Sequence, residues 1–141
     1  MADYSFGSRS RKQLDSCDPR LVEIAERALS YGVMDFSVIE GYRSIARQQA
    51  LYNEGRSKID GVTRKGRHNE YPSQAMDLLP YPSEVNGVNV WEDRQRLSVL
   101  AGLIYAAAAE EGIAIRWGGD WDGDGNNADS TFHDMPHFEI V

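Results

Sequence analysis

Leu21, Ile24, Ala25, Ala28 and Leu29 fall three and four residues apart, the spacing of one face of an α-helix. Asp18 stands where an N-cap belongs, Pro19 suits the first helical position, and Gly32 supplies the stop. The period then changes. In MDFSVIEG (34–41) Phe36 and Val38 share one face, which predicts a strand. Ser44 can cap a second helix, IARQQALYNE, that ends at Gly55. Residues 55–73 are rich in Gly, Arg, Lys, Asn, Pro and Ser and predict a long loop, which in a small domain is commonly functional. QAMDLLPY (74–81) predicts a short apolar strand with one acid inside it, ended by Pro80 and Pro82. The longest helix is predicted from about Trp91 to Glu111, with Gly112 as its stop. Apolar residues occupy much of its circumference, so it should pack through the core. IAIRWG (113–118) and HFEIV (137–141) predict further strands. Helices and strands mix without a βαβ rhythm, so the fold class expected is α+β with a small, mainly antiparallel sheet.

At 141 residues the chain is expected to form a single domain, 1–141, around one core. No apolar run approaches the ~20 residues of a membrane span. The N-terminal MADYSFGSRSRKQ has no apolar stretch after its charges, so no secretory signal is expected. The single Cys17 excludes an internal disulfide and a cysteine-based zinc site. Any metal must therefore be held by His, Asp or Glu. The net charge of −7 is unevenly spread. Residues 43–67 carry Arg43, Arg47, Arg56, Lys58, Arg64, Lys65 and Arg67 against Glu54 and Asp60. Residues 110–141 carry eight carboxylates against Arg116. The basic stretch is either a solvated face or a surface that steers toward a polyanion. The acidic total and the lack of a module signature argue against nucleic acid as a partner.

Asp77 lies between Met76 and Leu78, and a carboxylate buried there needs a partner. His68 ends the basic loop, and His137 lies in the last predicted strand. Two imidazoles and a carboxylate form a known catalytic zinc set with a fourth position left for water. A loop histidine, a core histidine and a salt-bridged acid explain the same residues. Further on, DWDGDGNNADST (120–131) has Asp120, Asp122 and Asp124 at alternate positions before Gly125. That matches the first half of a calcium loop, with Asn126 able to add a backbone carbonyl. Position 12 is Thr131 rather than glutamate, and an acidic turn rich in Gly and Asn fits as well.

Several motifs occur in a fixed order: GYRS (41–44), RHNEYPSQAMDLLPYP (67–82), WGGDWDGDG (117–125) and DMPHFEI (134–140). Together with FGSRSRKQLDSCDPRLVEIAERAL (6–29) they resemble the zinc peptidases that include D-alanyl-D-alanine carboxypeptidases and phage L-alanyl-D-glutamate endopeptidases. The resemblance spans nearly the whole chain and is strongest to phage endolysins. It implies a hedgehog/DD-peptidase-like fold and one catalytic peptidase domain without a separate wall-binding domain. It implies His68, Asp77 and His137 as zinc ligands, Asp134 as the general base, and Arg43 as the group that meets a substrate carboxylate. His133 is left over, as a residue that helps bind substrate, orients Asp134 or simply caps the strand. Gln48 and Gln49 are expected to be structural. The serine of the family's S-x-H position is Gly66 here, which puts one substrate hydrogen bond in doubt. A regular strand would put Asp134 and His137 on opposite faces, so Pro136 is expected to introduce a bend that turns both toward the metal.

The function implied is zinc-dependent hydrolysis of the L-alanyl–D-glutamate amide in bacterial peptidoglycan for host lysis. Calcium at Asp120, Asp122, Asp124 and Asn126 would order the neighbouring base. The expected setting is a monomer without membrane insertion, held in the host cytoplasm and released to the periplasm through a holin. Two alternatives are a D-alanyl-D-alanine carboxypeptidase and a non-catalytic metal-binding protein on the same scaffold.

Overall fold

A computed structural model describes residues 2–57, 59–121, 123 and 134–141. The chain runs α1 (Ser8–Asp15), α2 (Pro19–Ser30), β1 (Phe36–Glu40), α3 (Ile45–Asn53), β2 (Ala75–Pro80), β3 (Glu84–Val85), β4 (Val88–Asn89), α4 (Arg94–Glu111), β5 (Ile115–Gly118) and β6 (Asp134–Ile140). Short 3-10 turns cover Arg67–Asn69 and Val90–Glu92. Four strands form an antiparallel sheet in the order β1-β2-β6-β5, and β3 and β4 form a separate small hairpin. The α+β class and the antiparallel sheet are as expected.

The caps explain most helix boundaries. Asp18 accepts from the Arg20 amide, Ser44 from Arg47, and Asp93 from Arg96. Gly112 closes α4 in the left-handed conformation, at φ 69°. The last helix thus begins at its Asp93 cap rather than at Trp91, whose segment is a 3-10 turn. Its buried residues are Leu97, Leu100, Ala101, Ile104, Ala107 and Ala108, a single stripe. The helix therefore covers one side of the core and does not run through it, and Val99 on its outer side stays exposed. Helix α1 was not expected: SRSRKQLD buries only Ser10 and Leu14, too few positions to read as a face. It is held from outside its own sequence, by the Val38 amide donating to Ser10 Oγ at 3.0 Å.

The sheet's two faces have different jobs. Val38, Met76, Leu78, Phe138 and Ile140 are buried in the same core cluster as Leu21, Ile24 and Ala28 of α2 and the α4 stripe. The other face carries Asp77 and His137, directly paired between β2 and β6. Phe36 and Val38 belong to the core side of β1, and regular alternation would send Glu40 there too. A bulge between Val38 and Glu40 prevents this and sets Glu40 opposite Asp77. Glu40, Asp77 and His137 thus form a row across three strands.

Candidate active site

Each member of that row is fixed by its backbone. Asp77 lies mid-strand and pairs with His137 on one side and Glu40 on the other. His68 comes from the long loop, on the Arg67–Asn69 turn. Three contacts stitch that turn to the 41–44 segment. The Arg43 amide donates to the His68 carbonyl at 2.7 Å, Asn69 Nδ2 donates to the Arg43 carbonyl at 3.0 Å, and His68 Nδ1 donates to the Gly41 carbonyl at 2.7 Å.

The last contact fixes the imidazole. A carbonyl only accepts, so Nδ1 of His68 carries the proton and Nε2 is turned inward, 3.1 Å from Asp77 Oδ1. His137 is oriented the opposite way. Its Nε2 donates to Glu139 Oε1 at 2.8 Å, and its Nδ1 lies 3.3 Å from the same Asp77 oxygen. One donor atom from each of His68, Asp77 and His137 lies within 4.8 Å of the others. Both outward nitrogens are tied to an acceptor, the arrangement that holds metal-ligating histidines.

The charges are strongly coupled. Burial by itself would raise the Asp77 carboxyl, but the two histidines override it and hold it well below the usual carboxylate range. Burial would lower the His137 imidazole, yet its bonds to Asp77 and Glu139 push it up to about 9. Metal-free, His137 therefore holds a proton between itself and Asp77, where a cation would compensate the same carboxylate. The donor types, their convergence and their outer hydrogen bonds all fit a zinc ion.

Asp134 stands at the rim, its Oδ2 4.0 Å from His137 Nδ1 and its side chain 43% exposed. Partial burial and the nearby Asp77 raise its carboxyl, against the pull of His137, His68 and Arg43. The bend expected at Pro136 is not a turn, because β6 runs unbroken from Asp134 to Ile140. The irregularity lies in its pairing with β5. Trp117 faces Phe138, but the next residue, Gly118, faces Asp134, which leaves Met135, Pro136 and His137 as extra residues on β6. Trp117 Nε1 pins the bulge by donating to the Met135 carbonyl at 2.6 Å. Proline, which lacks an amide donor, is tolerated where the ladder is already interrupted.

Arg43 reaches the site but is already engaged. Its Nε and Nη2 donate to the two oxygens of Glu40 at 2.9 and 2.8 Å, and its Nη1 donates to Gln48 Oε1 at 3.0 Å. Its Nη2 also lies 3.5 Å from Asp77 Oδ2. Glu40 and Asp77 are like charges facing each other across two strands, an arrangement that costs stability unless compensated. The half-buried guanidinium supplies that compensation. The bidentate face expected to receive a substrate carboxylate is turned to Glu40 instead. Gln48, expected to be structural, is 2% exposed and links Arg43 to the 57–59 segment through Ser57 Oγ and the Ile59 carbonyl. Gln49 is exposed.

Two residues of the site escape sequence reasoning for different reasons. Glu139 was available from the two-residue period of the final strand, which puts it on the face of His137. Glu40 was not, because its face depends on the bulge. Of the proposed calcium loop, Asp120 is buried and bridges to Trp117. Asp122, Asp124 and Asn126, and likewise His133, lie outside the described residues. Gly66 lies on the cleft wall, and a Cβ there would meet Ile59 Cδ1 at 3.4 Å. The cleft that contains His68, Asp77, Asp134 and His137 has a volume of about 420 Å³.

Residues 2–141 match the family model described as phage L-alanyl-D-glutamate peptidase. The L-alanyl-D-glutamate peptidase of Escherichia phage T5 is 30% identical over 141 residues, covering 98% of each chain. The peptidoglycan L-alanyl-D-glutamate endopeptidase CwlK of Bacillus subtilis is 26% identical over 112 residues, which is 77% of this chain and 62% of CwlK. Among solved structures, the Serratia marcescens L-Ala D-Glu endopeptidase ChiX superposes with a TM-score of 0.76 at 32% identity, covering 99% of this chain and 91% of ChiX.

Proposed function

The chain belongs to the phage L-alanyl-D-glutamate peptidase family, and on that premise we propose that it cleaves the L-alanyl–D-glutamate amide of peptidoglycan with a zinc ion held by His68, Asp77 and His137. The observation that carries the proposal is the convergence of these three side chains beside Asp134 in one cleft. A bound zinc ion would polarise the scissile carbonyl and lower the pKa of the attacking water toward ~7. Asp134 takes the proton of that water and returns it to the leaving amine of D-glutamate. Its raised carboxyl suits both halves of that task. Gly41 and Glu139 keep the inward nitrogens of His68 and His137 free of protons once a cation replaces the one shared with Asp77. Arg43 neutralises the Glu40–Asp77 pair and keeps the row from splaying.

The names of its relatives favour the endopeptidase over a carboxypeptidase, and a carboxylate at Asp134 favours an enzyme over a metal-binding protein without activity. The setting we propose is phage lysis: a monomer that accumulates in the host cytoplasm and reaches the periplasm through a holin. No helix among the described residues is long and apolar enough to cross a membrane. We also propose calcium at Asp120, Asp122, Asp124 and Asn126, supported by the alternate carboxylates before Gly125. Asp120 follows closely on Gly118, which pairs with Asp134, so ordering that loop would bear on the base.

The test is mass spectrometry of Gram-negative peptidoglycan after treatment with the zinc-loaded protein, with calcium added or chelated. Stem peptides that begin at D-glutamate are expected, and fewer of them without calcium. Free D-alanine from otherwise intact stems would instead identify a carboxypeptidase. Asp134→Asn should lower the rate at least 100-fold while zinc stays bound.

A further inference from the structure

Beside the metal-ligand cleft lies a second one, of about 480 Å³. The two share Ile59, Gly66, Arg67, Trp121 and Glu139 as walls, and the first also holds His137. The second cleft is lined by Arg64, Lys65, Arg67 and Arg116 against two acids, Glu70 and Glu139. On a chain of net charge −7 this is a local reversal of sign. It adjoins the cleft that holds the proposed reaction centre.

Of these cations, Arg64, Lys65 and Arg116 differ from Arg43 in having no ion-paired carboxylate among the described residues. Glu139 is bonded to His137, with Arg67 Nε 3.7 Å from its other oxygen. Arg116 faces Glu139 across the β5–β6 pairing. Among the described residues, no carboxylate lies within 4.0 Å of the Arg64, Lys65 or Arg116 side-chain nitrogens. The loop that presents Arg64 and Lys65 is organised independently of any substrate. Asp60 Oδ1 accepts from the amides of Val62, Thr63 and Arg64, and the Gly61 amide donates to the Arg64 carbonyl at 2.8 Å. A preformed cleft with free guanidinium groups suits a carboxylate ligand.

We infer that Arg64 and Arg116 form a carboxylate subsite for the leaving half of the peptidoglycan stem, the half that begins with D-glutamate. This rests on the endopeptidase reading above. The leaving half carries a free α-carboxylate next to the scissile amide when D-glutamate is linked onward through its side chain. The half ending in L-alanine loses its own carboxylate to the amide being cut. The uncommitted cations therefore match the chemistry of one side of the bond, and a focused positive potential there raises the local concentration of an anionic ligand.

The test uses two synthetic acyl-L-alanyl-γ-D-glutamyl tripeptides, one with the D-glutamate α-carboxylate free and one with it amidated, and the zinc-loaded protein with and without the double substitution Arg64→Gln, Arg116→Gln. Wild type should prefer the free acid by about tenfold in kcat/KM. The double variant should lose that preference through KM, with its kcat and its hydrolysis of the amidated peptide changed less than twofold. Equal treatment of the two peptides by wild type, or an equal loss on both in the variant, would overturn the subsite. If wild type cuts neither peptide, the endopeptidase reading is what fails. Calorimetric binding of the free γ-D-glutamyl dipeptide then decides the subsite on its own. Binding weakened about tenfold in the variant upholds it, and unchanged or absent binding refutes it.

Discussion

Replacing Glu139 separates holding the metal from doing the chemistry. Glu139 Oε1 accepts from His137 Nε2 at 2.8 Å, and its side chain is only 12% exposed. The bond fixes which nitrogen of His137 faces Asp77. Glutamine can still accept at that position but without charge. A hydrogen bond to a charged group contributes about 1.5–3 kcal/mol and a neutral one about 1, so Glu139→Gln should cost about 1 kcal/mol, or roughly five- to tenfold in zinc affinity. Glu139→Ala leaves the His137 N–H buried without its acceptor and lets the ring turn. The loss should then reach about 10–100-fold, the range for removing an outer partner of a ligating histidine. The assay is zinc competition against a chromophoric chelator at pH 7.5, with the melting temperature of the metal-free protein measured in parallel. Excess zinc should restore most of the activity of Glu139→Gln, because Asp134 is untouched. The reasoning fails if Glu139→Ala is folded and binds zinc as tightly as wild type.

Gly118→Ala should impair the same site by a different route: a Cβ there would run into the Asp134 carbonyl oxygen, so the pairing that carries the proposed base must open. Loss of activity with zinc affinity within about threefold of wild type is the expected result, read by kinetics and chelator competition. Asp18 predicts an acid limb of stability. Its bonds from Arg20, led by the side-chain contact, and from Gln74 hold its carboxyl well below the usual range. Its contribution is therefore full above the unfolded value of about 3.9 and is lost as pH falls below it toward the folded one. Asp18→Ala should cost about 1 kcal/mol at pH 7 and flatten this limb in urea titrations between pH 2 and 5. Cys17 is 5% exposed, and burial pushes its thiol up to about 12. It should resist a disulfide-exchange reagent at pH 8 in the native protein and react only on unfolding, as an absorbance assay in urea would report.

The local elements were legible because their signals are local. The Asp18–Pro19 start, the Ser44 cap and the Gly112 stop each act within one turn, and strand alternation around Asp77 needs only its neighbours. The fixed order of motifs pointed to the family, and to His68, Asp77 and His137, which the structure brings together beside Asp134, because residues assembled from separate segments leave their mark in each. The sequence missed α1, whose two buried side chains are stabilised by partners in β1 and the core rather than by its own pattern. It placed Arg43 at the site but not its partner, since a one-residue bulge decides that Glu40 faces Asp77. It foresaw irregularity at Pro136 but not its form, a slip of three residues in the β5–β6 register pinned by Trp117. Side-chain facing in a sheet follows a period of two, so a single inserted residue reverses it. Only the pairing of distant strands decides where that residue goes. For this chain, its own residues determined which groups are available for chemistry, and the tertiary pairing decided which of them meet.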